Sequence, residues 1–125
     1  MARLLVDTHA VLWAVGRTVG LSPTARTLLE DPENEPLVSL ASLWEIAIKS
    51  SLGKLNAPDE LPDEIDATGF GWLAVAREHV WAVRSLPLHH RDPFDRLLIA
   101  QALTERLPLV SSDTQLDAYG VDRVW

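Results

Sequence analysis

Short apolar runs alternate along the chain with segments whose apolar positions recur at helical spacing, and no repeat, linker or low-complexity tract breaks the alternation. Residues 3–6 (RLLV) read as a short buried strand. Residues 8–14 read as a helix, with bulk from Ala10, Val11, Leu12 and Trp13. Ser22-Pro23 starts a second helix, Ser as cap and Pro in the first turn, where its missing N–H is harmless. That helix is expected to stop near Glu30, before Asp31-Pro32, because a residue preceding proline avoids the helical region. Residues 36–39 (PLVS) give the next strand and 41–51 the next helix, closed at Gly53. A weaker, acidic helix over 59–67 ends at Gly69. Residues 70–75 form a third strand or a strand–helix junction, 78–85 a helix, and LPLHHRDP a loop. The strongest helix spans 93–106, where Phe94, Leu97, Leu98, Ala100, Gln101 and Ala102 make a wide apolar face. Residues 109–111 make a short strand, 114–119 a short helix ended by Gly120, and 121–125 a final strand.

Strands that are apolar throughout and separated by helices predict an α/β fold with a parallel sheet covered on both faces. Ligands in such folds sit beyond the carboxyl ends of the strands, near the point where strand order reverses. That rule directs attention to the residues that leave each strand.

Composition narrows the class. A chain of 125 residues fits a single domain over 1–125. Hydrophobic residues make up 47% and charged residues 23%, as in ordinary globular proteins. No apolar run approaches the roughly 20 residues that span a bilayer. MARLLVDTHAVLWAVG makes a poor signal peptide, because Asp7 and His9 interrupt its apolar run. The absence of cysteine excludes disulfides and thiolate metal sites. A soluble, cytoplasmic protein is the expectation. The net charge of −7 counts against a non-specific nucleic-acid binder. It does not exclude a nuclease, since a bound divalent ion reverses the local sign of a carboxylate cluster.

Four acids stand where chemistry is expected. Asp7 directly follows RLLV and Asp113 directly follows LVSS, so both project from the carboxyl edge of the sheet. Asp95 lies in the first turn of the strong helix, and Glu45 near the start of the 41–51 helix. Carboxylates that share a site repel one another and call for protons or cations. Hard ions such as Mg²⁺ or Mn²⁺ prefer oxygen ligands and promote phosphodiester hydrolysis by activating water. Each acid also has a purely structural reading. Asp7 and Asp113 can cap the helices that follow them. Ser42 and Glu45 match a capping box, and Glu45 and Lys49 are spaced as a surface pair. A start at Ser39 instead would free Glu45 for the cleft. Asp92 is assigned to capping, with a support role to a metal as the alternative, and Asp95 suits the helix dipole.

DTHAVLWA at Asp7, SLWEIAIKSSLGKL around Glu45, HHRDPFDRLLIAQAL around Asp95 and LVSSDTQLDAYGV at Asp113 together resemble the PIN domain of VapC-type toxins. The resemblance runs in order over almost the whole chain and is weakest over 56–77. It implies a three-layer α/β/α fold with a parallel sheet. It implies that Asp7, Glu45, Asp95 and Asp113 bind one or two Mg²⁺ or Mn²⁺ ions, and that a metal-activated water attacks an RNA phosphodiester. Thr8, and more weakly Ser112, would support the metal or phosphate through a hydroxyl. A homodimer and inhibition by a small antitoxin protein are also implied. The antitoxin's C-terminal segment would wrap an apolar groove and set an Arg or Lys against the acids, a partner that suits an acidic chain.

Other residues are ambiguous. His79, His89 and His90 invite a metal reading, but His89-His90 lack the i, i+4 spacing of a helical metal pair. A loop role is expected, with contact to RNA phosphate as the alternative for the two near Asp95. His9 is expected to pack or to sit at the edge of the cleft. Arg91 and Arg96 are either RNA contacts or surface pairs with Asp92 or Glu105. Trp13, Trp44, Trp72, Trp81 and Trp125 are expected mostly in the core, with one or two on a partner surface. A dehalogenase-like phosphatase wants a second Asp where His9 stands, and a receiver domain wants an adjacent acidic pair, so both rank below the nuclease. A non-catalytic interaction module is the remaining alternative.

Overall fold

The computed structural model describes residues 2–16 and 20–125. Five strands form one sheet: β1 (Arg3–Val6), β2 (Glu35–Ser39), β3 (Gly71–Leu73), β4 (Leu109–Val110) and β5 (Arg123–Val124). Their order is β3-β2-β1-β4-β5, and every pair is parallel. Strand order therefore reverses at β1, which leaves a crevice between the carboxyl ends of β1 and β4. Six helices surround the sheet: α1 (Thr8–Gly16), α2 (Pro23–Glu30), α3 (Leu40–Ser51), α4 (Leu61–Ala67), α5 (Arg77–Ala82) and α6 (Pro93–Glu105). Two 3₁₀ segments, Val83–Ser85 and Thr114–Tyr119, complete the described elements. Among the described residues no helix is long and apolar enough to cross a membrane.

Alternation along the buried strands divides the core. Leu4, Val6, Val38 and Val110 face one apolar layer with Val11, Ala25, Ile46, Ile65 and Phe70. Leu5, Leu37 and Leu109 face the opposite layer with Leu98, Ile99, Leu116 and Tyr119. The expected α/β/α sandwich is thus present, one helical layer on each face. Element ends shift by a residue or two from the sequence expectation. The largest change is at residues 114–119, which wind as a 3₁₀ helix capped by Asp113 and closed at Gly120 with φ 75°. Gly20 is required for a different reason: a Cβ there would come within 2.4 Å of the Trp13 indole, so the chain passes flush against that ring.

A buried polar chain ties α6 to the rest. Gln101 is fully buried, and its Oε1 accepts from Ser39 Oγ at 2.6 Å while its Nε2 donates to the Ala74 carbonyl at 3.3 Å. His79, equally buried, accepts from the Ala76 N–H at Nδ1 and reaches Glu105 through Nε2 at 2.8 Å. His79 is therefore a packing residue remote from the acids, not a metal ligand. Replacing Gln101 with Leu would strand the Ser39 hydroxyl and the Ala74 carbonyl. The expected loss is about 2 kcal/mol of stability, read as a lower urea midpoint at unchanged slope.

Candidate metal centre

Asp7 is the first residue beyond β1. Its Oδ1 accepts from the Ala10 N–H at 2.9 Å and so caps α1, while its own N–H donates to the Val110 carbonyl at 3.0 Å and anchors it to β4. The Ser111 hydroxyl also hydrogen-bonds the Asp7 carboxylate. Asp113 caps the 3₁₀ segment, accepting from Gln115 N–H at 3.0 Å, and its N–H donates to Ser111 Oγ at 3.1 Å. One fully buried hydroxyl, Ser111, thus joins the two strand-exit acids. Ser112, the hydroxyl expected to give support, is exposed, and the contacts to Asp113 belong to its neighbour Ser111.

Glu45 depends on where α3 begins. Ser39 is the cap, its Oγ accepting from Ala41 N–H at 3.0 Å, so the helix starts a turn before a Ser42 cap would allow. Glu45 is thereby released from capping and lies buried at 4% exposure. Thr8 Oγ1 donates to Glu45 Oε1 at 2.8 Å and hydrogen-bonds Ser42 Oγ at 3.0 Å. Lys49 Nζ donates to Glu45 Oε2 at 2.6 Å. The expected i, i+4 pair forms, but one member is buried rather than on the surface. Thr8 acts by holding a carboxylate, not as a free hydroxyl in the cleft.

Asp92 caps α6, its Oδ1 accepting from Phe94 and Asp95 N–H at 2.8 and 3.1 Å, with Pro93 in the first turn. This sets the Asp95 side chain facing the crevice. His90 reaches the same place: its Nε2 lies 3.1 Å from Asp95 Oδ2 and 3.6 Å from Asp113 Oδ2. Among the described residues, His90, Asp95 and Asp113 form the tight group, with donor atoms within 4.8 Å of one another. Nothing in the sequence separated His90 from His89, whose ring packs edge-on against Tyr119.

Arg96 is occupied inside the chain. Its guanidinium donates to the carbonyls of Val83, Leu86, Pro87 and His90 at 2.9–3.3 Å and reaches Tyr119 Oη at 3.4 Å. It forms no ion pair with Asp92 or Glu105 among the described residues. These donors fasten the stretch from Val83 to His90. Arg91, by contrast, is exposed and makes no ion pair among the described residues.

Asp7 and Asp95 hold their protons more tightly than ordinary carboxyls do. Burial is the main cause at Asp7, whose carboxyl is pushed above the usual range despite the Ser111 and Ala10 hydrogen bonds, with Asp113 adding to the rise. Asp95 is pushed up to about 6, first by burial, then by Asp92, with Glu45 and Asp7 contributing and His90 opposing. The Lys49 ammonium is held in its charged form chiefly by its hydrogen bond to Glu45, with Asp92 and Asp95 adding to the pull. A group of partly buried carboxylate oxygens, two of them on acids that resist ionisation, fits a hard divalent cation. Asp7, Glu45, Asp95 and Asp113 could hold it.

The PIN domain family matches residues 4–122, and the chain belongs to that family. It is 40% identical over 58 residues to Ribonuclease VapC16 of Mycobacterium tuberculosis. That match spans 43% of this chain and 41% of the relative. In structure it resembles a chain of VapBC2 from Rickettsia felis bound to a DNA fragment from its promoter, with TM-score 0.71 and 12% identity, covering 98% of this chain and 97% of that one. A DNA-bound VapBC chain from Salmonella typhimurium gives TM-score 0.71 and 14% identity, covering 99% and 98%. A toxin-antitoxin complex from Klebsiella pneumoniae gives TM-score 0.63 and 19% identity, covering 98% and 96%.

Because Asp95 titrates higher folded than unfolded, its contribution to stability is complete below 3.8 and is lost as pH rises through about 6. In metal-free buffer, Asp95→Asn is expected to stabilise the fold at pH 7.5 by about 1 kcal/mol, discounted for partial exposure. It should also flatten the stability profile between those two values. Denaturant titrations across that range check both.

Proposed function

We propose that this chain is a metal-dependent endoribonuclease, the toxin half of a toxin–antitoxin pair, in which Asp7, Glu45, Asp95 and Asp113 hold one or two Mg²⁺ or Mn²⁺ ions. The observation that carries the reading is the approach of four acids, from four separate elements, to one crevice, where burial and neighbouring carboxylates raise the proton affinities of Asp7 and Asp95. Family membership and the likeness to Ribonuclease VapC16 support it. A bound Mg²⁺ or Mn²⁺ would lower the pKa of a coordinated water and offset charge on a phosphodiester.

The chain's own residues supply order. Ser111 fixes Asp7 relative to Asp113, Thr8 fixes Glu45, and Asp92 sets the turn that presents Asp95. Lys49 balances Glu45 at the rim. Arg91 is the exposed cation suited to an RNA phosphate. The match from residue 4 to residue 122 supports a single domain. Toxin-antitoxin complexes among the structural neighbours support an antitoxin partner. Trp44 at 58% and Trp81 at 65% exposure, with Leu40 and Val80 beside them, supply apolar area for a second copy or an antitoxin segment.

The test is Asp7→Asn with Asp95→Asn. Both substitutions keep a side chain that can cap, so the fold should survive. The double variant is expected to lose RNA cleavage by at least about a hundredfold, together with the Mn²⁺ binding seen in wild type by calorimetry. Cleavage that persists in the folded double variant would sink the proposal. Absence of Mn²⁺ binding in wild type would move the lead to a non-catalytic interaction module.

A further inference from the structure

His90 stands among the acids with both ring nitrogens engaged. Its Nδ1 accepts from the Asp92 N–H at 3.2 Å. An accepting nitrogen carries no hydrogen, so the ring proton is on Nε2. That nitrogen lies 3.1 Å from Asp95 Oδ2 and 3.6 Å from Asp113 Oδ2. A metal ligand needs a lone pair, and at Nε2 there is none to give. Proximity alone groups His90 with two carboxylates; the hydrogen-bond pattern makes it a donor.

The loop is built to keep it there. The His90 N–H donates to Tyr119 Oη at 2.7 Å, and its carbonyl accepts from Arg96 Nη1 at 3.3 Å. Arg96 holds three further carbonyls of the same stretch. Tyr119 is itself buried in the core layer beneath α6. The His90 side chain keeps 17% of its surface exposed, on the crevice side where the acids are. A ring fixed through its backbone, its Nδ1 and its tautomer presents one N–H to whatever anion occupies the crevice.

We propose that His90 is a phosphate-binding residue of this site and not one of its metal ligands. Its Nε2 stands beside the Asp95 and Asp113 carboxylates, and its N–H donates to a non-bridging oxygen of an RNA phosphate when those carboxylates are engaged by cations. The inference rests on the nuclease reading above and assigns a substrate contact within it. In a chain of net charge −7 this places a fixed donor beside two carboxylates. A phosphate approaching the crevice needs something there that is neither carboxylate nor metal.

The experiment compares wild type, His90→Ala and His90→Gln, each checked for folding by thermal melt. Gln is included because its amide can return an N–H near the Nε2 position. Mn²⁺ affinity is measured by calorimetry. Affinity for a fluorescent mixed-sequence single-stranded RNA is measured by anisotropy with Ca²⁺ in place of Mn²⁺. In His90→Ala, Mn²⁺ affinity should stay within a few-fold of wild type or rise, because a competing donor is gone. RNA affinity should fall about tenfold, the worth of one hydrogen bond to a charged group, and His90→Gln should recover most of it. A tenfold or greater loss of Mn²⁺ affinity in His90→Ala would make His90 a ligand and overturn the inference. So would unchanged RNA affinity in that variant. Failure of the nuclease reading looks different: wild type itself would then bind neither Mn²⁺ nor RNA, and the phosphate role would fall with it.

Discussion

Carboxylates drawn together out of bulk water constrain everything else in this molecule. Asp7, Glu45, Asp92, Asp95 and Asp113 arrive from five places in the sequence and feel one another's charge. Like charges at such range cost several kcal/mol unless donors or cations intervene. The structure answers mostly with neutral donors. Backbone N–H groups at the starts of α1, α6 and the final 3₁₀ segment take one oxygen each of Asp7, Asp92 and Asp113. Hydroxyls of Ser111 and Thr8 take more. Lys49 is the one ammonium inserted among them, and it is spent on Glu45. Asp95 receives the least, a shared contact with His90, and it is the acid whose proton affinity rises furthest. A ligand cation would therefore bring its largest relief to Asp95.

Strand order is what makes the crowding possible. β1 lies at the centre with β2 on one side and β4 on the other, so the crossovers leave in opposite directions and no helix covers the gap between β1 and β4. Both flanking acids leave the sheet at that gap. The two apolar layers hold the strands in register, and Gln101 locks α6 to the cap of α3 through Ser39. That one hydrogen bond couples the helix bearing Asp95 to the helix bearing Glu45. Precision at the acids is in this sense a property of the core.

The legible part of the sequence was its punctuation. Strands end where apolar runs end, and Asp7 and Asp113 stand directly after them, so their placement followed from pattern alone. Ser22-Pro23 and Asp92-Pro93 announced their helices because proline and a capping oxygen have few other combined uses. The α3 start was a contest between Ser39 and Ser42, and sequence left it open. Ser39 wins because its hydroxyl can also give its proton to buried Gln101, a partner 62 residues away. Other placements also turn on partners distant in the sequence. Arg96 looked like a surface cation, yet its acceptors are carbonyls that only a folded loop gathers. Ser111 and Ser112 are indistinguishable in a string, and one residue of strand pleat separates a buried hydroxyl from an exposed one. His90 differs from His89 only in which side of the loop it faces.

Charge supplies the last step. With 18 acidic and 11 basic residues, the chain's long-range field opposes a polyanion. On the proposed reading RNA must nevertheless approach the most acidic point of the surface. Among the described residues near it, Arg91 is exposed, Lys49 is paired with Glu45, Arg96 is engaged by the carbonyls of its loop, and His90 offers one N–H. Affinity for RNA then cannot precede the cation; the ion that relieves Asp95 is the same ion that inverts the local sign. Metal and RNA are thereby linked ligands, each strengthening the other by the same free energy. A basic side chain from a protein partner, set against the same carboxylates, would relieve them in the ion's place. It would compete with both at once, so an acidic enzyme of this design is open to inhibition by a cationic peptide segment without any second site.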